Sequence, residues 1–592
     1  MSSYLTELAK LNYVPNVVIR VLSTYFAIRQ PDSGLSIPAD HQGLIRSLNL
    51  NPTSIDPYNA TTTQNQNSFS LLDNGGVVTA LFNAQPQYFQ GEKVEIWLGR
   101  SGVNMDFSEY LKLTDTYITK ASRQDSAYNF QCKDAKERLS TGAFNTRGKL
   151  GADILIATTV ITMQDTSMMP SSGTFKLNDE FISYTGIIGN NLQSCIRGEQ
   201  GSVPANHSYG DDIYLCEVLQ DNPITLLLRL MISSGGGGAY DVLNDGASID
   251  QNLIDVAQME SIRDEYFPTR TFKLIFFNVE SLKKEIETHI LYPLRVRLRS
   301  QNNGKIGLAL LDKPTLDIDS PDLTHDNITK VPVFDVDETK IVNILRVEYD
   351  YNFATEKYES LIEYSDAASI AQFGESKPFT VSMKGVRTTL GASNFIAEFQ
   401  ELFFRRFAFP KPIVSFSAQM RTSRWELGEK PYVETTHIPT TAGDLNFGDN
   451  LELISKAINE QTGDVVLKLQ FNAFTGLRAC FIAPSDTLAT VVNQKTITVG
   501  AGRGENYRAG WIMKLYDNVA RDYAAAETNE IESVSGDTIV FVNDWVTTLV
   551  ATTHRMMFAD YNQVSDQQKK FCFISDDGNN FTDGKKAFVI SF

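Results

Sequence analysis

From Gly173 to Asp212 the chain reads GTFKLNDEFISYTGIIGNNLQSCIRGEQGSVPANHSYGDD, a series of short β-prone runs broken by turn residues. Alternation places Phe175, Leu177 and Asp179 on one face of a pleat, with Phe181, Ser183 and Thr185 continuing it. Gly189-Asn190-Asn191 tolerates positive φ and closes a hairpin. Leu192 to Arg197 reads as a further strand before Gly198 and Gly201 interrupt it. Nothing in this pattern is catalytic by itself. It constrains the segment to a compact β unit.

The chain has 592 residues, more than one core uses, and about three to five domains are expected. The apolar fraction of 42% and charged fraction of 21% are those of a folded protein. The net charge of -18 is spread over the sequence, with no acidic tail to hold it. Gripping nucleic acid needs clustered Lys and Arg, so that class of function is disfavoured. An acidic surface serves solubility, and it also suits a protein past which DNA slides without sticking.

The cysteines are Cys132, Cys195, Cys216, Cys480 and Cys572, an odd number with no C-x-x-C pair. Reduced, mostly buried thiols are expected, and no disulfide framework. The N-terminal MSSYLTELAKLNYVPNV lacks the layout of a secretory signal. The longest apolar stretch, Ile224 to Ile232, is far shorter than the ~20 residues a membrane span requires. A soluble protein that does not follow the standard export route is expected.

The first 150 residues read mainly as strands: Asn16 to Leu22, Gly76 to Phe82 and Lys93 to Leu98, with Asn59 to Asn67 as an exposed polar loop. Asn222-Pro223 is an N-cap followed by proline at the first helical position. The helix it opens ends at Ser233-Ser234 and Gly235 to Gly238. That glycine run closes a helix and has no Lys-Ser/Thr after it, so it is a connector and not a phosphate loop.

From Asp250 to Asp312 the pattern is α+β. Leu282, Ile286 and Ile290 recur at helical spacing, and Pro293 is expected to stop the helix. Leu294, Val296 and Leu298 then alternate with Arg295, Arg297 and Arg299, which predicts a hairpin strand with the arginines on one face, open to an acidic partner or DNA but most simply solvated. Asn303-Gly304 turns it, and Lys305 to Leu311 returns. Ile341 to Tyr351 is a strand, and Phe395, Phe399, Leu402 and Phe403 form a helical core stripe ending before Pro410. Phe416 to Trp425 and Lys430 to Thr436 bracket Gly428 as further strands. The section from Asp449 to Phe592 is strand and turn again, with Ile539 to Val542 and Ala587 to Phe592 as strands.

No catalytic motif emerges. None of His41, His207, His289, His325, His437 and His554 stands in a zinc spacing, and no G-x-S-x-G elbow occurs. His289 is expected at a surface or satisfied position, and His207 in a structural turn. Gly500 to Gly504 is a lone glycine motif, most simply a loop. Asp576-Asp577-Gly578 to Gly584 does not follow the calcium-loop order and reads as two tight turns. No catalytic, cofactor-binding or metal residue is assigned, and no cofactor is expected.

The Asp179-Glu180 pair on a strand, Tyr184-Thr185-Gly186, Cys195-x-Arg197-Gly198, Ala205-x-His207 and Gly210-Asp211 resemble cassettes of tail-tip and fibre proteins of long-tailed bacteriophages. Val94 to Arg100, Phe130 to Ala135 and the order strand, helix, RRFAFPKP, strand likewise resemble baseplate or tail-tip hub proteins. The resemblance covers roughly the first 450 residues, diffusely, and some such proteins hold iron–sulfur clusters, although no ligand spacing for one stands here. It implies a mainly β, multidomain fold with α+β elements. The expected order is a first β-barrel-like hub domain at 1–150, a small inserted β domain at 151–218 and an α+β hub domain at 219–335. A second β-barrel-like hub domain at 336–450 and a C-terminal β domain at 451–592 follow.

The implied function is that of a structural virion protein at the tail tip, made in the bacterial cytoplasm and not an enzyme. A homotrimer would close the tail tube against the distal tail ring and tape-measure proteins, carry tail fibre proteins, and open to let genomic DNA through. Two other classes remain open. A receptor-binding protein would take host surface polysaccharide on its C-terminal β domain, with exposed aromatics such as Trp511 or Trp545 lining a groove. A tail-associated polysaccharide or cell-wall hydrolase would need a carboxylate pair in a cleft. In any of these settings His207, Arg197 and the Asp179-Glu180 pair are better suited to turn and packing roles than to chemistry.

Overall fold

The computed structural model describes residues 14–28, 44–50, 52–58, 61–62, 66–84, 89–101, 107–311, 322–324, 327–336, 338–436, 447–459, 462–471, 478–482, 486–504, 507, 509–517, 522–558, 571–575 and 588–591. The fold is mainly β, with curled half-barrel sheets and α+β elements, and is multidomain as expected. The chain divides into two compact units, Met1–Ala473 and Phe474–Phe592.

In the first unit, Val14–Val21, Lys93–Ser101, Leu111–Gln124 and Ala127–Lys133 form the middle of a seven-stranded antiparallel sheet. Val17, Val18 and Ile19 are all fully buried, so this strand is covered on both faces and its β-branched run can only be a strand. A second sheet orders Tyr432–Thr435, Phe447–Ile458, Val465–Phe471 and Ile413–Ala418 side by side. Val465, Leu467 and Leu469 alternate inward with exposed neighbours. They share one apolar core with Val17, Ile96 and Phe130 of the first sheet.

The expected boundaries therefore differ from the observed packing. The division at 450/451 falls inside the strand Phe447–Ile458, which pairs with Val465–Phe471 and also with Thr53–Asp56 near the start of the chain. Residues 336–450 are not one barrel either. Ile344–Asn352, Lys357–Ser365, Pro378–Ser382 and the helix Ala392–Phe407 join the core of the α+β section. Turn signals mark where a strand ends, but which sheet a strand enters is set by long-range pairing that leaves no local mark.

A separate apolar core gathers the helices Pro223–Ile232, Val256–Tyr266, Leu282–Ile286 and Ala392–Phe407. Asn222 caps the first of these through Ile224 N, 3.0 Å, with Pro223 following as the sequence indicates. Phe395, Phe399 and Phe403 are buried, Phe399 and Phe403 stacked with centroids 5.6 Å apart and Phe395 edge-on to Phe272.

Three local expectations are corrected here. Gly76 to Phe82 is not a strand: Val77–Asn83 is a helix. Asp73 accepts hydrogen bonds from Val78 N and Thr79 N, at 3.0 and 3.1 Å, and from the Thr79 hydroxyl, satisfying first-turn donors. Pro293 does not stop its helix; it sits in the final turn, Tyr292–Leu294, after a π-helical stretch Glu287–Leu291. The chain turns at Arg295, which is left-handed with φ 58°.

The third correction concerns the arginine face. Arg295 and Arg297 are buried, not solvated. Arg295 lies over the rings of Phe403 and Phe407 at 5.7 and 5.5 Å, and donates to Pro57 O. Arg297 lies 5.0 Å over Tyr292 and donates to Val296 O. The hairpin itself is as expected, Val296–Ser300 pairing with Ile306–Leu310. Its Gly304, at φ +83°, presses against the buried Asp115 of the first sheet, where a Cβ would collide. Both faces of this hairpin are thus covered, which alternation alone cannot reveal.

Leu150 to Leu215 form a separate small core centred on Phe175, Leu177, Ile182 and Leu192. Its strands Gly173–Leu177 and Glu180–Tyr184 pair with each other. The ten-residue strand Asp212–Asp221 begins in this insert, against Gly173–Leu177, and continues into the helical section against Phe272–Phe276.

The second unit holds a six-stranded sheet that includes Thr538–Phe541, Asp522–Ser535 and Ile512–Asp517, and a three-stranded sheet of Arg478–Ile482, Phe571–Ser575 and Phe588–Ser591. The glycine run 500–504 is a loop: Gly502 N and Gly504 N each donate to Asp537, at 3.0 Å. The Asp576 to Gly584 stretch and part of Asn59 to Asn67 lie outside the described residues, as do His41, His325 and His437.

Candidate functional site: the carboxylate cluster of the insert

Glu180, Arg197, Gly198, Ala205 and His207 of the cassette meet at one point. Asn178, in the left-handed region at φ 51°, turns the hairpin so that Glu180 opens the second strand with its side chain buried. Arg197 grips it in bidentate fashion, Nε to Oε1 and Nη2 to Oε2, both 2.6 Å. Gly198 N and Ala205 N donate to the same two oxygens at 3.1 and 3.0 Å, and His207 Nε2 lies 2.9 Å from Oε2. A carboxylate only accepts, so Nε2 carries a proton, and His207 Nδ1 stands 3.3 Å from the Asn178 amide nitrogen. Asp179, by contrast, sits in the turn and is exposed.

Arg197 also donates to Leu155 O at 2.8 Å and Ala205 O at 2.5 Å. Through Glu180 and Arg197 the strand is therefore tied to the loop around Leu155 and to the loop from Gly198 to His207. Gly198 has φ +71°, and a Cβ there would strike the Pro204 ring. This is a position only glycine fills.

Burial pushes the Glu180 carboxyl up, but the Arg197, His207 and Ala205 hydrogen bonds outweigh it and hold the group below the usual range. A general acid or base working near neutrality needs the opposite shift, and every oxygen of this carboxylate is already occupied. The cluster binds loops together; it does not offer chemistry to a ligand. Among the described residues no three His, Cys, Asp or Glu side chains are grouped to hold a metal ion, and no helix there is long and apolar enough to cross a membrane.

The other candidates divide similarly. His289 is buried in the π-helical stretch, its ring held far down, at about 3, first by burial and then by the nearby Lys384 charge. Cys132, Cys195 and Cys216 are free and buried, their thiols raised by burial to about 12, 11 and 12. His554 is buried. Trp511 and Trp545 are also buried, packed with Met513 and Phe541 in the core of the second unit, so neither lines a groove.

Two cations, one buried and one half-buried, carry no mark in the motifs of the sequence. Arg406 of the aromatic helix donates to Glu452 Oε1 at 2.9 Å and Gln470 Oε1 at 2.6 Å, fastening the helix to the second sheet. Its place three residues beyond Phe403, on the core stripe, was the available signal. Lys456 donates to Ser423 O, Trp425 O and Asn302 Oδ1 within 3.3 Å, and burial lowers it to about 8. Nothing in the local sequence marks it.

No family model matches the chain, and no curated protein matches it either. Among solved structures it is similar to a tail protein from Neisseria meningitidis, at 8% identity over 78% of this chain and 97% of that one, TM-score 0.36. A prophage tail protein from Shewanella oneidensis aligns at 10% identity over 77% and 98%, TM-score 0.32. One from Listeria monocytogenes aligns at 8% identity over 77% and 95%, TM-score 0.33. At these scores the likeness is one of general outline.

Proposed function

We propose that the chain is a structural, non-catalytic component of a bacteriophage tail, acting as a trimeric hub that closes the distal end of the tail tube. The observation that carries this reading is the Glu180–Arg197–His207 cluster. The residues through which the sequence resembles tail-tip cassettes are the residues that hold the insert's loops in place, so the resemblance resides in the architecture. In this role the chain contacts the distal tail ring and the tape-measure protein, positions tail fibre proteins, and opens for DNA ejection. The acidic balance of -18 suits a lumen that DNA crosses without adhering.

Trp511 and Trp545 are buried, so neither supports polysaccharide recognition by the second unit. Glu180 itself, low-lying and fully engaged, is not suited to serve as a hydrolase's acid. Electron cryomicroscopy of the intact particle tests the proposal. Three-fold density for this chain across the end of the tail tube is the expected result, and copies that are peripheral and detached from the tube overturn it.

A further inference from the structure

The insert carries an exposed apolar surface that the cluster holds in shape. Leu155, Ile156, Ile196, Val203 and Tyr209 are between 55% and 77% exposed, far more than residues of their size need to be in a closed domain. All lie on or beside the two loops that Glu180 and Arg197 bind. Further ties join the loops directly: Ile156 N donates to Asn206 Oδ1 at 2.8 Å, Tyr209 N to Asp153 Oδ1 at 2.6 Å, and Ile154 and His207 exchange backbone hydrogen bonds. An apolar surface already ordered before contact loses little conformational freedom on binding.

The exposed charge of the insert's own loops is acidic, while Arg147 and Lys149 are exposed on the adjoining strand. Between residues 151 and 212 the exposed charged side chains are Asp153, Asp165, Asp179 and Asp212, all acidic. The two cations of the segment are withdrawn, Arg197 onto Glu180 and Lys176 onto Glu356 at 2.5 Å. Lys149, just outside, is tied to Asp212. A second copy of this face would set like charge against like charge.

We infer that this face of the insert docks a different protein, one that presents an apolar protrusion flanked by lysine or arginine. The inference does not depend on the tail reading, since a hub and a peripheral protein would use such a face equally. It accounts for the expenditure of the insert's only two cations on internal pairs: they are kept off the surface a basic partner approaches.

The test measures binding of an amphipathic leucine–lysine peptide to the full chain, with a leucine–glutamate peptide of the same pattern as control. The lysine peptide is expected to bind, more weakly as salt rises. The double variant Ile156→Ser, Val203→Ser should weaken it about tenfold, and Asp153→Asn with Asp179→Asn should flatten the salt dependence. Val546→Ser, at an exposed position in the second unit, should change nothing. Equal binding of the glutamate peptide, no binding of the lysine peptide, or equal loss in Val546→Ser overturns the proposal. So does self-association of the wild-type chain, by sedimentation velocity, that the Ile156→Ser, Val203→Ser pair abolishes.

Discussion

The insert and the arginine strand solve the problem of a buried guanidinium in different ways. In the insert, Arg197 meets a carboxylate in a core of modest size, and the pair is completed by loop N–H and C=O groups. In the helical section, Arg295 and Arg297 lie over Tyr292, Phe403 and Phe407 and reach backbone carbonyls. The first arrangement fastens loops that have little apolar contact of their own. The second fills space in a core already rich in rings, where a guanidinium stacks and its weak hydration makes burial less costly. Removing the insert's charge should therefore unfasten structure, and removing a stacked arginine should mainly repack it.

The largest effect is expected from Glu180→Ala, which leaves Arg197 and His207 buried without their carboxylate and costs about 3–5 kcal/mol within the insert. Site-resolved alkylation under native conditions should show Cys195, in the insert core, becoming reactive while Cys132 in the first sheet stays protected. Equal exposure of both thiols would break the comparison, because the insert would then not open by itself.

Acid should separate the regions next. His289 is held neutral in the fold, down at about 3, against an ordinary 6.5. The unfolded chain therefore binds more protons as pH falls from 6.5 toward 3, and stability is lost across that window. The Glu180 carboxyl is depressed, so its contribution is present above 4.5 and lost only as pH falls through its lower folded value. Urea titrations at stepped pH should show stability falling from about pH 6 downward, by a few kcal/mol in all. His289→Phe should flatten the fall between about pH 6.5 and 4.5 and lessen it from there to about 3, leaving the part due to carboxylates such as Glu180. An unchanged acid profile in His289→Phe would remove the helical section from the account.

Arg297→Met keeps a chain of similar length against Tyr292 but removes a cation beside the half-buried Glu287, and is expected to cost about 2 kcal/mol, less than Glu180→Ala. A loss as large as that of Glu180→Ala, by urea titration, would mean the two solutions are equivalent. The smallest effect is local: Asp73→Ala removes the acceptor for Val78 N and Thr79 N and should cost about 1 kcal/mol. Hydrogen exchange over Val77–Asn83 should rise, with the insert unaffected.

Local chemistry was legible wherever a residue acts on its own neighbours. Asn222-Pro223 announced a helix start, Asn303-Gly304 a hairpin, and Gly189-Asn190-Asn191 a turn. The cassette's β character followed from its turn rhythm, and its lack of catalytic spacing from the same residues. Gly76 to Phe82 was misread because Val77 and Val78 favour strands, while the cap that makes them helical comes from Asp73, outside the run.

What the sequence by itself determined is therefore the class of fold, the grain of its strands and turns, and the acidic character of its surface. Only the tertiary structure decided that Thr53–Asp56 pairs with Phe447–Ile458, that two sheets share one core, and that Arg295, Arg297 and Arg406 lie inside. It also decided that Glu180 is the point on which the insert's loops converge. The physical reason is range: capping and turn preferences act within a few residues. Burial and ion pairing join groups far apart in the chain, and a side chain's charge does not tell which of its two surroundings, water or ring faces, it will meet.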